Sequence, residues 1–599
     1  MKSTNSRHIL RLALGPALGL ALLASVAISV PEPASSDTSW QSFNCADRAS
    51  AVASATVADG STYDVVIYGG TPSGAAAALA AANLGKKVLL LSEGTLFGGA
   101  ISNGLGATDL GSLDANVGTA RLYLNQLSQF YHNTTYRTEP KVAECIFEGW
   151  LTSSNITLGT NTVLDAATVT NRMISDLTLH SSANLATAVK VTGKDFVDAS
   201  YAGDLMNLTG AASRLGMSDY YRYNESVTKY RSFNVLFKIK DPAVAAQAAV
   251  DFAKLPQVTS APSLDNYPSQ ILGGQPSFTY RLCVTKQTAN LIPFDKTADY
   301  ETWAPAWRTF MKYYYGFNIQ KSAYVKSNGT VLTQLWRIAK LPNNKYDLNA
   351  YFSSFTNLTM NPSFFSNLQG RAAILANYSS YLQSFLWFVQ NDPSVPALEH
   401  NALNGFGLCA DEFTSTGGWP QAPYLREGRR LIGQTTMTTK DIFVNRVKQD
   451  GIAVGSYTLD SKPTLFVYAN NTFARDRSLM FRAPMYEIPL GAMLSKAGPE
   501  NLVVSIGLSA SPAAFASIRM EPQFIQLGQA AGIAASLASN GDGTITDSLA
   551  TSVRSNLAMS GGFNGITNIC QKLSASLRTY WGFNQTSCQT IPFGLYIAG

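Results

Sequence analysis

Histidine is scarce, with only His8, His132, His180 and His400 in 599 residues, so acid–base chemistry has few of its usual carriers. The six cysteines, Cys45, Cys145, Cys283, Cys409, Cys570 and Cys588, contain no C-x-x-C, which suits structural disulfides rather than zinc or redox chemistry. No G-x-S-x-G elbow, H-E-x-x-H pair or EF-hand loop occurs, which counts against a hydrolase or a metalloenzyme. Charge is sparse as well. Only 14% of residues are charged, and the net +6 is diluted along the chain, with no basic run beyond the scattered "REGRR" at Arg426 to Arg430. That leaves no electrostatic footprint for nucleic acid. Beyond the N-terminus no segment is both long enough and free enough of charge to span a bilayer.

What is present is apolar: 46% of the residues are hydrophobic, in a chain too long for one ordinary core, so two intertwined or sequential domains are expected. Lys2, Arg7 and Arg11 precede an apolar run from Leu12 to Val30, the layout of a secretory signal peptide, with Ser25-Val26-Ala27 as the cleavage site. A retained anchor is the alternative; Gly15, Pro16 and Gly19 interrupt the run and no basic stop-transfer cluster follows. Sequons at Asn133, Asn155, Asn207, Asn224, Asn328, Asn357, Asn377, Asn470 and Asn584 suit the same compartment, the secretory lumen or the exterior, with N-glycosylation. Cys570 and Cys588 are close enough in sequence to suggest a pair. The other connectivities stay open, with buried thiols the alternative for Cys283 and Cys409.

The densest pattern is "DVVIYGGTPSGAAAALAAANLGKKVLLLSEG", Asp64 to Gly94. Val65 to Tyr68 reads as a strand buried on both faces, the alanine-rich stretch from Gly74 to Leu84 as a helix, and Lys87 to Leu91 as a second strand. A glycine turn between strand and helix is the context in which a dinucleotide loop is believable. Gly69 permits the tight turn and Gly74 lets the helix pack on the strand. Thr71 stands where the middle glycine belongs, cushioned by Gly70 and by Pro72, which suits a first helical turn. Glu93, near the expected ~20 residues from the loop, would accept both ribose hydroxyls and repel a 2′-phosphate, favouring FAD or NAD over NADP.

A second glycine-rich segment, "LFGGAISNGLGATDLG", and the run "VDASYAGDL" follow. Late in the chain come "FGLCADEFTSTGGWPQAPYLREGRRLIGQ" and "LVVSIGLSASPAAFASIRMEPQFIQLGQAAGIAASLA". Together these resemble the FAD-dependent oxidoreductase family of the glutathione-reductase-like superfamily, over most of Asp64 to Ala538. The resemblance implies an α/β fold: a Rossmann-like FAD-binding domain, a parallel sheet in three-layer packing, plus an inserted α+β substrate domain. It places Gly98, Gly99, Ser102, Asn103 and Gly104 beside the ribityl chain and ring, and Arg519, Met520 and Gln529 in the closing segment that faces the cofactor. Val169 is counted with the cofactor-binding positions. The implied organisation is a signal peptide over 1–27, an extension over 28–60, FAD-binding parts at 61–210 and 407–539, an insert at 211–406 and a C-terminal extension at 540–599.

The tyrosine-rich insert, as in "SDYYRYNESVTKYRSFNVLFKIK" and "FMKYYYGF", would either stack on a sugar or phenolic substrate or fill a sheet face. The family's relatives carry a histidine after the Asp-Ser of "GSYTLDS" and another after "LSAS"; here Lys462 and Pro512 stand there. Lys462 is read as a base or an anion-binding group if buried, and otherwise as an exposed loop lysine. Arg426 is read as orienting a carboxylate or the flavin, and otherwise as paired with Glu412 or Glu427. His400 reads as a surface loop residue. The expectation is a secreted FAD-dependent oxidase or dehydrogenase that takes a hydride from a sugar-type alcohol or a secondary metabolite and is reoxidised by oxygen or a small acceptor. The alternative is a flavoprotein-fold binding or structural protein without turnover.

Overall fold

The computed structural model describes residues 57–181, 184–260, 263–265, 267–274, 277–317, 323–350, 358–591 and 593. The signal-peptide run, the extension up to residue 56, Cys45 and the Asn357 sequon lie outside them. The elements that build the site are β1 (Ser61–Tyr68), α1 (Pro72–Asn83), β2 (Val88–Leu91), β3 (Ile156–Gly159), β4 (Thr162–Thr170), β5 (Met173–Ser181) and β6 (Asn184–Asp198), followed far along the chain by α2 (Arg371–Asn391), β7 (Leu502–Val504) and α3 (Glu521–Ala538).

Val65, Val66 and Ile67 are fully buried, as a strand covered on both faces requires. β1 pairs in parallel with β2 and β6, β2 with β3, and β7 with β6, giving the parallel order β3-β2-β1-β6-β7. β7 lies beside the end of β6 with Leu502 opposite Phe196, so a strand from the last sixth of the chain completes a sheet begun at residue 61. α1 and α3 pack side by side against it, where alanines of α1 meet Gly528 and Gly532 of α3; a Cβ on either glycine would collide with the carbonyl of Ser73 or Ala77. The other face is covered by Leu164, Ile174, Leu177 and Leu179 of the antiparallel β4–β5 pair, packed on Val66, Tyr68 and Leu89. The result is the expected three-layer α/β arrangement.

The middle of the chain builds a separate antiparallel sheet, in which Leu282–Thr285 lies between Lys345–Ala350 and Gly407–Cys409. A second core sits beside it. Trp303, Trp307, Phe310 and Tyr314 pack there with Tyr381, Phe385 and Phe388 of α2, so these aromatics fill the core rather than present a stacking surface. Strands on either side of residue 407 pair with one another: Gly407–Cys409 with Leu282–Thr285, and Phe466–Ala469 with Val258–Ser260. The chain re-enters the middle region after 407, and a boundary at that residue does not separate the sheets. Cys283 pairs with Cys409 across adjacent strands, correcting the buried-thiol alternative, and Cys570 pairs with Cys588; Cys145 is also disulfide-bonded. His400 lies half-buried on the helix Ala397–Leu403 rather than on a loop.

Asp195 on β6 is fully buried, and neither carboxylate oxygen has a hydrogen-bond partner among the described residues. Burial, opposed by the charges of Lys86 and Lys194, pushes its carboxyl up to about 8. An unfolded Asp titrates near ~4, so between there and about 8 the native state holds a proton that the unfolded chain has released. Stability from this group therefore falls as pH rises through that window. Asp195→Asn is expected to flatten the decline in melting temperature over the window and to melt higher than wild type above it. Parallel melting curves at every pH would contradict this.

Candidate cofactor and active site

The turn after β1 answers the question posed by Thr71. Gly69 has φ +123°, and a Cβ there would stand within 2.4 Å or so of the backbone of Ala199 beyond β6, so only glycine fits. Thr71 is the N-cap of α1: its Oγ1 accepts from the Gly74 N–H at 3.1 Å and donates to the Ala199 carbonyl at 2.8 Å. The side chain that breaks the glycine pattern thus closes the helix and ties it to the end of β6. Pro72 occupies the first helical turn. The Gly98 and Gly99 N–H groups both bond the Gly70 carbonyl, at 2.8 and 3.1 Å, docking the second glycine segment on the first.

After β6 the chain turns on Asp198, which accepts from the Ser200 N–H and hydroxyl and from the Met206 N–H at 2.7–2.9 Å. The turn projects Tyr201 and Asp204 into a cleft of about 310 Å³. Gly69, Gly70, Thr71, Glu93, Gly99 and Asn103 line it, while Gly74, Gly98, Ser102 and Gly104 stand behind. Gly104 abuts the Arg281 backbone, and the Ser102 hydroxyl is buried without a partner among the described residues. The N-terminus of α1 opens on the cleft, where its dipole favours an anion. At one end Glu93 accepts from Tyr68 at 3.0 Å and from Arg371 of α2 at 2.5 Å. At the other, the Tyr201 hydroxyl accepts from the Ala100 N–H at 3.0 Å and donates to Glu521, at the start of α3, at 2.9 Å. Burial pushes the Glu521 carboxyl up to about 8. A phenol on the cleft wall is therefore bonded to a carboxyl that holds its proton at neutral pH.

Two expected positions are placed elsewhere. Val169 is exposed near the far end of β4, and Val163, six residues earlier on that strand, lines the cleft instead. Gln529 lies eight residues, about 12 Å, into α3. There it accepts from the Thr119 N–H and donates to Ser560, a packing role away from the cleft. Met520 is the buried N-cap of α3.

Arg426, Lys462 and Arg519 gather with Arg281 around Tyr424, which packs with Tyr201 behind the inner end of the cleft. Arg519 donates to the Tyr424 hydroxyl at 3.1 Å and the Asp460 carbonyl at 2.7 Å, and Lys462 lies 3.0 Å from the Asp460 carboxylate. Arg281 is bidentate on Asp347. The buried Nη1 of Arg426 has no partner among the described residues, and burial beside Arg519 and Arg281 lowers the guanidinium to about 10. Glu412 is bonded to Lys345, not to Arg426. Burial also holds the Lys462 ammonium below its usual range against the pull of Asp460, although about 30% of its side chain is exposed. Pro512, where relatives carry histidine, opens the short helix Pro512–Ile518.

Tyr201 and Asp204 fall inside "VDASYAGDL", and Glu521 inside the closing motif, but their pairing across the chain had no sequence signal. Arg281 falls inside "FTYRLCVT" and its partner Asp347 inside "KYDLNA", two smaller echoes of the family pattern, whereas Arg371 comes from the middle region without any local motif.

The model of the family described as FAD dependent oxidoreductase matches residues 64–557. Among solved structures, the flavin-dependent brominase Bmp2 is 9% identical, with 87% of each chain covered and a TM-score of 0.33. A mutant E. coli quinol fumarate reductase FrdA is 9% identical, covering 84% of this chain and 75% of its own, with a TM-score of 0.31. Thermovibrio ammonificans THI4 is 15% identical, covering 28% and 73%, with a TM-score of 0.21. No curated protein matches.

The Thr71 hydroxyl bonds predict that Thr71→Ser, which keeps them, melts close to wild type. Thr71→Val, which keeps the shape and loses both, should cost about 1–3 kcal/mol in urea unfolding. Equal stability of the two variants would show that the cap does not matter.

Proposed function

The chain belongs to the FAD dependent oxidoreductase family, and from that premise we propose that it is a secretory-pathway flavoenzyme that takes a hydride from a small organic substrate, a sugar-type alcohol or a secondary metabolite. The observation that carries this reading is one continuous cleft, from the carboxylate of Glu93, past the N-terminus of α1, to the Tyr201–Glu521 pair. Its residues fit FAD. The backbone of Gly69 and Gly70 and the helix N-terminus suit the pyrophosphate, Glu93 the adenosine ribose, and Gly99 and Asn103 the ribityl side. A Cβ at Gly70 would come within 2.5 Å of the Ser92 hydroxyl, so the wall is kept free of side chains. Bound there, FAD supplies two-electron acceptor chemistry; oxygen or a small acceptor is the proposed partner for its reoxidation.

The protein's own contribution is to position and to move protons. Tyr201, hydrogen-bonded to Glu521, is the proposed proton relay beside the cleft in a chain short of histidine: the ionised form of Glu521, reached as pH rises through about 8, takes through Tyr201 the proton that leaves the substrate hydroxyl. Arg426 and Lys462, within a cluster that outnumbers its carboxylates, are the proposed groups that orient an anionic part of the substrate. Two observations support passage through the secretory pathway: the disulfides, and the exposure of Asn133, Asn155, Asn224, Asn328, Asn377, Asn470 and Asn584. Oxidative tailoring of a metabolite in that compartment is the more specific form of the proposal.

Purified protein is expected to show the visible bands of oxidised flavin, bleached anaerobically by a member of a panel of sugars, amines and phenolics. A colourless protein after reconstitution with FAD would sink the proposal. With a substrate in hand, Tyr201→Phe should slow bleaching by about 100-fold or more. Lys462→Met should raise KM for acidic substrates; unchanged kinetics would make the lysine a bystander.

A further inference from the structure

Arg371 opens α2, in the region between the two halves of the parallel-sheet domain, yet its guanidinium reaches the Glu93 end of the cleft. Nη1 donates to Glu93 at 2.5 Å and to Asp204 at 2.9 Å, Nη2 to Asp204 at 2.5 Å, and Nε to the Phe364 carbonyl at 2.8 Å. The guanidinium also lies 4.4 Å over the Phe364 ring. Its side chain is 7% exposed while that of Glu93 is 39% exposed, so the arginine is sealed in and the carboxylate faces the cleft. Tyr68 and Arg371 both bond Oε1 of Glu93. One carboxylate oxygen is thereby clamped, and Oε2 is the one turned to a ligand.

The charges make the clamp necessary. An ionised carboxylate is the stronger acceptor for ribose hydroxyls and offers no competing donor, and both burial and the neighbouring Asp204 push the Glu93 carboxyl up, opposed chiefly by Arg371. A nucleotide lying over Glu93 would remove more water and add its own phosphates. Without the arginine, Glu93 and Asp204 would be left facing one another in a drying site. The same stretch of chain also lays Phe364, Leu368, Ala372 and Leu375 along the cleft as an apolar wall.

We propose that Arg371 is the positioning residue of the adenosine site. An ionic clasp from the middle region holds the ribose carboxylate in its accepting geometry, so selection of FAD over FMN, which lacks the adenosine half, depends on a residue outside the nucleotide-binding segments. The inference rests on the FAD reading above and extends it.

The test is flavin-fluorescence titration of the full-length apoprotein with FAD and with FMN. Arg371→Met is expected to weaken FAD binding by about 10- to 100-fold and to leave FMN binding within about twofold. Arg371→Lys should recover part of the loss, and it carries the test if the methionine variant fails to fold. Adding Arg371→Met to Glu93→Gln should cost much less than the two losses combined, because both remove the same clasp. Equal losses of FAD and FMN would mark Arg371 as merely structural and overturn the inference, as would undiminished FAD binding by both Arg371 variants. Failure of the wild-type apoprotein to bind FAD at all would overturn the underlying reading instead.

Discussion

The side-chain-free contact between α1 and α3 sets the geometry on which the site depends. Gly528 meets Ser73 and Gly532 meets Ala77, so the two helices run parallel and at close range. Because α3 begins at Glu521, seven residues before Gly528, while α1 begins at Pro72, α3 projects about 10 Å further past the sheet. One helix N-terminus therefore ends at the turn proposed to cradle a phosphate, and the other reaches the inner end of the cleft. A larger side chain at either glycine would push α3 off α1 and separate Glu521 from Tyr201.

Placed on this frame, the cleft is closed at each end by buried ionic or proton-holding groups, and each end draws on distant parts of the chain. The outer end joins Tyr68 and Glu93 to Asp204 and Arg371. The inner end joins Tyr201 to Glu521, with Arg281, Arg426, Arg519, Asp460 and Lys462 behind Tyr424. Buried charges without neighbours are costly, so removing one partner of any of these pairs would destabilise the end of the cleft it closes. Nη1 of Arg426 has no partner among the described residues, and an anionic ligand is the group proposed to meet it.

Legibility in the sequence followed the range of each interaction. The strand, turn and helix from Ser61 to Asn83 and the turn and packing tasks of Gly69 and Gly74 are local, and their pattern carries them. Thr71 departs from the fingerprint because that pattern records backbone approach and not capping; its bond to Gly74 is local, while the one to Ala199 exists only once β6 is in place. Arg371 has no local signature, since its partner Glu93 lies 278 residues away. Val169 lies exposed near the far end of β4, a position along the strand that only pairing defines. The re-entry of the chain at Phe466–Ala469 into a sheet begun near Phe233 is likewise a long-range pairing that composition cannot reveal.

The most direct test of the account is a crystal structure of the protein with FAD. The account predicts density for the ribose hydroxyls at Glu93, the pyrophosphate at the N-terminus of α1 and the ring system beside Tyr201. A cofactor bound outside this cleft, or lying in it with its ring system at Glu93, would contradict it.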